Sequence, residues 1–202
     1  MADDGERRAG RRLSSAQRRE EILAAAGRAL ADQGFLPVSV EQIAREAGAS
    51  KALVYAYFPK QVSLYNALLA DALAPLAERI GKIKRANFET EAAEAMLAYF
   101  DEVADHGARL HLLFTDPHLD GVRDTEITAA RDALWRRFLR ASRAYVTLPP
   151  AERVAALAIM LAIPEDLGRL AHRGELTRTR ARALCKQLVI SSLRGVRDAA
   201  RG

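Results

Sequence analysis

The residues best suited to contact a ligand crowd into one short stretch, EQIAREAGASKALVYAYFPKQVSL, residues 41–64. Tyr55, Tyr57 and Phe58 fall within four positions there, between Lys51 and Lys60, in a chain with only 6 Phe, 5 Tyr and 1 Trp. A core would account for Phe58 but not easily for both tyrosines. A tyrosine can lay its ring on protein and donate its hydroxyl to an anionic oxygen, and lysines beside it would hold the same anion. The alternative is that both rings pack between helices with their hydroxyls in water.

Other chemistries find less support. The four histidines, His106, His111, His118 and His172, never pair at the four-residue spacing of a helical metal site, and no HExxH run occurs. Cys185 is the sole cysteine, which excludes an intrachain disulfide and a cysteine-based zinc site. Neither a phosphate loop nor an activated-nucleophile signature nor paired carboxylates at a telling spacing is present, so no cofactor or metal is expected. The net charge of +5, mostly arginine excess, permits nucleic acid, an acidic partner or an anionic membrane surface without selecting one. No run approaches the roughly 18 apolar residues of a membrane span, and the N-terminal stretch MADDGERRAGRR has no apolar core of a secretory signal. A cytoplasmic protein is expected.

Helices must position these residues. The chain is rich in alanine and leucine and half apolar, and shows no strand pattern of useful length. Residues 1–13 are charged and aperiodic, with Arg7, Arg8, Arg11 and Arg12; they read either as a solvated tail or as a disordered basic arm that touches nucleic acid. Ser14 or Ser15 can cap a first helix with Ile22, Leu23, Ala26, Ala29 and Leu30 inward, stopped by Gly34. Phe35 is then expected to turn back into the core. Ser39 caps a short second helix that Gly48 ends, and Ser50 caps a third that Pro59 closes. Further helices are predicted over 60–80, 90–105, 109–114, 124–145, 151–172 and 177–197, with Pro75 and Pro164 as possible kinks.

Two short helices joined by a tight glycine turn make a helix-turn-helix, whose second helix enters the major groove of DNA. From Ser50 onward, helical phase puts Val54 and Phe58 on the face that packs on the first helix. Lys51, Ala52, Tyr55 and Ala56 fall on the other face, with Tyr57 at the edge.

The stretch from Arg19 to Leu69 resembles the DNA-binding region of the TetR family of transcriptional regulators. The residues that carry the resemblance are REEILAAA from Arg19 to Ala26, Gly34-Phe35, Ser39-Val40, Ile43-Ala44, Ala47-Gly48, Ser50, Val54-Tyr55, Tyr57-Phe58 and Leu64, spaced without a gap. The resemblance implies an all-α fold: an N-terminal three-helix DNA-binding domain over 14–60 and a C-terminal helical bundle over 61–202 for ligand binding and dimerisation. It implies that Lys51, Ala52 and Ala56 face base edges, and that Ser39, Gln42, Tyr55, Tyr57 and Lys60 meet phosphates beside the cap Ser50. Three positions depart from the family pattern. Leu53 replaces a small or hydroxyl residue and offers a contact to a thymine methyl. Gln61 replaces a lysine and can donate a hydrogen bond without adding charge. Ala56 is smaller than usual, which leaves base readout sparse.

By the same resemblance the last two long helices form a dimer surface, with Leu157, Leu161, Ala181, Leu184, Leu188, Ser191 and Gly195 as its candidates; the other reading is packing within one subunit. The middle helices are expected to enclose an effector pocket lined by Met96, Phe100, His111, Phe114, Trp135, Phe138 and Met160, each of which could equally be core. The implied partners are a palindromic double-stranded operator, a second copy of the chain and a small-molecule effector. The implied function is a dimeric repressor released from DNA by that effector. The competing reading is an all-helical enzyme or scaffold with an incidental helix-turn-helix.

Overall fold

A computed structural model describes residues 14–83 and 87–200. The basic arm proposed for residues 1–13 lies outside these. Among the described residues the structure is helical throughout, without a strand. Helix α1 spans Ser15–Gln33, α2 Val40–Glu46, α3 Lys51–Tyr57, α4 Gln61–Gly81 and α5 Phe88–His106. They are followed by α6 Arg109–Thr115, a single 3₁₀ turn at Pro117–Leu119, α7 Thr125–Ser142, α8 Pro150–Met160, α9 Ala162–His172 and α10 Arg178–Ala199.

The helix ends follow the local chemistry. Ser14 caps α1 and forms a capping box with Gln17, while Ser39, Ser50, Asn87 and Thr177 each accept a backbone N–H at the start of α2, α3, α5 and α10. Gly34 ends α1 at φ +75° and Gly48 turns the chain between α2 and α3 at φ +57°, conformations that cost a side-chain-bearing residue strain. Helix α4 runs on through Pro75.

Two apolar clusters organise the chain. The first joins α1–α4 through Ile22, Leu30, Ile43, Val54, Phe58, Leu64 and Leu68 and continues into Leu110 and Leu113 of α6. The second packs α5 against α8 and α10 through Met96, Phe100, Leu157, Met160, Cys185 and Val189. Helix α4 links the parts of the chain, packing on α1 and on α5, α6 and α7.

Three expectations need correction. Phe35 does not turn inward: it is 61% exposed beyond the Gly34 cap, while Val38 and Tyr65 are buried in the core, the Tyr65 hydroxyl accepting the Val38 N–H at 3.0 Å. The expected single helix over 151–172 is two, α8 and α9, broken at Leu161. Pro164 supplies the cause, since it has no N–H to give to the Met160 carbonyl one turn back. On α10 the stripe turned to its own subunit is Ala181, Cys185, Val189 and Leu193, at four-residue steps. Ala181 and Leu157, expected on a dimer surface, are thus buried inside the subunit.

Candidate DNA-binding face and ligand cavity

Helix α3 is held by one side. Val54 and Phe58 are buried against α1 and α2, with the Arg19 guanidinium stacked 5.1 Å over the Phe58 ring. Lys51, Ala52, Tyr55 and Ala56 are exposed on the other side, Leu53 and Tyr57 are half-buried, and Tyr55 keeps 49% of its surface in solvent. Ser50 Oγ accepts the Leu53 N–H at 3.1 Å, which shapes the helix start and leaves its hydroxyl proton to donate. Tyr57 donates its hydroxyl to Ser15 Oγ at 3.2 Å, which fixes the ring beside the start of α1.

The neighbouring polar groups are partly engaged. Ser39 Oγ donates to Glu41 Oε2 at 3.0 Å while capping α2, and Gln42 Nε2 donates to Glu46 at 3.0 Å. The Lys51 ammonium forms an ion pair with Glu41, both half exposed. Lys60 stands exposed just before α4. Gln61 donates one amide N–H to the Val38 carbonyl at 2.7 Å, tying the start of α4 to the loop before α2. Glu41 was missed in the sequence. Its place two residues after the cap Ser39 was visible, but its reach to Lys51 depends on the angle between α2 and α3.

A cavity of about 860 Å³ lies between the two apolar clusters. Helix α4 lends Leu73, Leu76 and Ile80, α5 lends Met96 and Tyr99, α6 lends His111 and Phe114, and α7 lends Leu134, Trp135 and Phe138. Of the candidates for a pocket, Met96, His111, Phe114, Trp135 and Phe138 line it; Phe100 and Met160 do not. Phe100 is one step round α5 from Tyr99, a rotation of about 100° that turns it toward α10, and Met160 packs in the same cluster. Leu161, expected at a dimer surface, lines the cavity instead because the break between α8 and α9 turns it inward.

One end of the cavity is polar. Glu165 of α9 is buried, and its Oε2 lies 2.9 Å from His111 Nδ1 and accepts the Tyr99 hydroxyl at 3.3 Å. The hydrogen bond to Glu165 raises the His111 pKa above its ordinary value against an opposing effect of burial. Burial, then the Glu165 charge, raises that of Tyr99. Beside them Arg169 pairs with Asp166, and Arg131 pairs with Asp132 at 2.7 Å and lies 5.0 Å over the Phe114 ring. Tyr99, Glu165, Asp166, Arg131, Asp132 and Arg169 were missed because no sequence motif joins the three separate helices that carry them. The remaining histidines have partners of their own: His106 lies 4.0 Å from Glu102, His118 is on Asp116, and His172 is on the Ala104 carbonyl. No cluster of three or more metal-ligating side chains exists among the described residues.

The outer side of α8 and α10 is apolar and uncovered. Ile159 is 72% and Leu188 45% exposed, Val154 is exposed nearby, Leu184 is half-buried, and Ser191 and Gly195 face outward. No helix among the described residues is long and apolar enough to cross a membrane.

Comparison with known proteins agrees with this geometry. Residues 22–68, the span from α1 into α4, match the sequence model of the bacterial regulatory proteins of the tetR family. The chain is 27% identical over 138 residues to the HTH-type transcriptional activator FasR of Mycolicibacterium smegmatis, a match covering 65% of this chain and 63% of that protein. It is 39% identical over 82 residues to the HTH-type transcriptional regulator BetI of Brucella canis, covering 40% of this chain and 41% of that one. The match thus spans less than two thirds of either relative's length. The fold is that of a TetR-like transcriptional regulator from Rhodococcus sp. RHA1, with a TM-score of 0.68 at 19% identity over 91% of this chain and 100% of the other. Residues 22–68 thus carry the sequence signature of the tetR family of bacterial regulatory proteins, and the helical order as a whole is that of the TetR-like fold.

Proposed function

We propose that the protein is a dimeric transcriptional regulator, a repressor that leaves its operator when a small molecule fills the cavity. The observation that carries this reading is the division of α3. Val54 and Phe58 anchor it, while Lys51, Ala52, Tyr55 and Ala56 present a basic and aromatic surface with no protein over it. Such a face suits a major groove, with Lys51, Ala52, Leu53 and Ala56 toward base edges and Ser39, Gln42, Tyr55, Tyr57 and Lys60 toward phosphates. One α3 reads few base pairs. The uncovered stripe of Ile159, Leu184 and Leu188 supports a two-fold dimer that would set two copies of α3 on one operator. Residues 14–60 then form the DNA-binding unit and 61–202 the regulatory body, with α4 shared between them. As a binding protein of DNA it would act in the cytoplasm and catalyse nothing.

A cavity bounded by α4 gives the effector a lever, because a shift of α4 moves the unit that holds α3. The ligand changes DNA affinity only by its differential affinity for the two states. The test is fluorescence anisotropy with the chain's own upstream DNA at several salt concentrations, alongside a promoter-reporter strain. Sequence-specific binding with derepression on deletion is expected. Equal affinity for cognate and scrambled DNA at every salt would refute DNA reading. Reporter output that falls on deletion would make the protein an activator, as the name of FasR makes that relative.

A further inference from the structure

We infer that the cavity takes an amphipathic cation, an apolar body carrying one positively charged nitrogen, with the Glu165 carboxylate as its counter-ion. The inference rests on the effector reading above and adds the chemical class of the guest.

The cavity divides into an oily part and a charged end. Leu73, Leu76, Met96, Trp135 and Phe138 supply walls that favour an apolar body. The charged end holds three carboxylates, Asp132, Glu165 and Asp166, and two guanidiniums, Arg131 and Arg169. The guanidiniums are taken: Arg169 pairs with Asp166 and Arg131 with Asp132. Glu165 has the neutral Tyr99 hydroxyl at 3.3 Å and His111 at 2.9 Å as its hydrogen-bond partners, and feels the charge of Arg169, which is itself bonded to Asp166, without a direct contact.

His111 is a weak counter-ion. Its side chain is 44% exposed while that of Glu165 is 10% exposed, and it carries charge only when protonated. With a neutral His111 the lining bears one uncompensated negative charge, on the more buried of the two groups. A buried carboxylate without a cation is costly, so the site favours a guest that brings one. An anionic guest would meet Glu165 and would have to part an arginine from its aspartate.

The guest's head and the His111 ring compete for one carboxylate. The groups that face His111 are Glu165, Asp166 and Arg169 from α9 and Tyr99 from α5, with Arg131 and Asp132 of α7 on the opposite wall. His111 is the one histidine among them, and imidazole is the side chain whose ordinary pKa lies near neutrality. Deprotonating His111 frees Glu165, so a permanently charged cation binds more tightly as pH rises.

Trp135 is the sole tryptophan and lines the cavity, so its fluorescence in the full-length dimer reports occupancy. The probes are decyltrimethylammonium, 1-decanol and decanoate, below their micelle concentrations. At about pH 8 the ammonium should bind at least about tenfold more tightly than either of the others, the scale of one charge-assisted contact. Glu165→Gln should bring the three within about twofold of each other. In the unmodified chain, affinity for the ammonium should fall several-fold toward about pH 5.5 while that for the alcohol holds steady. Decanoate binding as well as the ammonium, a folded Glu165→Gln that keeps the preference, or a pH-independent ammonium affinity in the unmodified chain would each overturn the assignment. If no probe changes Trp135 emission, the cavity is not an effector site and the broader reading falls with this one.

Discussion

At Gly168 helix α9 lies close against α5, and filling it tests how tightly the wall of the cavity is built. A Cβ placed there would stand 2.7 Å from Val103 Cβ, 2.8 Å from its Cγ1 and 3.2 Å from the Phe100 carbonyl oxygen. Two effects oppose each other in Gly168→Ala. Alanine is the better helix former by about 1 kcal/mol. Overpacking a close-fitted interior costs about 1–3 kcal/mol. Here the obstacles are a branched Cβ and a backbone carbonyl, which cannot rotate aside, so the cost belongs near the upper end. The expected net loss is about 1–2 kcal/mol, or about 2–8 °C in Tm for a chain of this length. The assay is far-UV circular dichroism melting at one fixed protein concentration, since association shifts Tm. Gly81→Ala, at the end of α4 where no atom lies within 4 Å, serves as the control and should not lower Tm. A Gly168→Ala protein at least as stable as the parent, with a neutral control, would refute the close packing of α9 on α5 and with it the placement of Glu165 against Tyr99.

Lys60→Ala should weaken binding to all DNA sequences alike and flatten the slope of log affinity against log salt by about one unit; an unchanged slope would remove Lys60 from the phosphate contacts. Glu41→Gln should tighten DNA binding, by about 0.2–1 kcal/mol for an exposed pair, because it frees Lys51 and removes a carboxylate from a face meant for phosphates; weaker binding would show that Glu41 is needed to position Lys51. Leu188→Glu should shift the chain to monomer in sedimentation velocity and abolish cooperative operator binding, and an intact dimer would place the interface elsewhere. The His111 pKa is raised in the folded state, so the protonated His111–Glu165 pair stabilises the fold fully below the unfolded value of about 6.5 and that contribution fades as pH rises through the folded value. His111→Gln should therefore lose stability at acidic pH relative to the parent and little above neutrality, measured as Tm against pH.

The first four helices were legible because their signals are local. A serine cap, a glycine at positive φ and an apolar stripe each act within about one helical turn. The phase of α3 followed from the same rule: residues four apart share a face, so Val54 and Phe58 had to go together. Where a residue's fate depended on a distant helix, the reading failed. Phe35 is a case: nothing within its own turn says that it stays in solvent while Val38 and Tyr65 are buried. Ala181 and Leu188 are another: both are apolar at helical spacing on α10, yet the first is buried and the second open, because α5 and α9 cover only one side.

The amino-acid sequence by itself determined that this protein is helical, where most of its helices start and stop, and which side of α3 is polar, since short-range sterics and hydrogen bonding set all of these. Only the tertiary structure decided that Glu165, Tyr99 and His111 meet at one end of a cavity, that Glu41 reaches Lys51, and that Phe100 faces away from that cavity. Those facts depend on the angles and distances between helices far apart in the chain, which are set by the packing of many side chains at once and leave no mark at any one position.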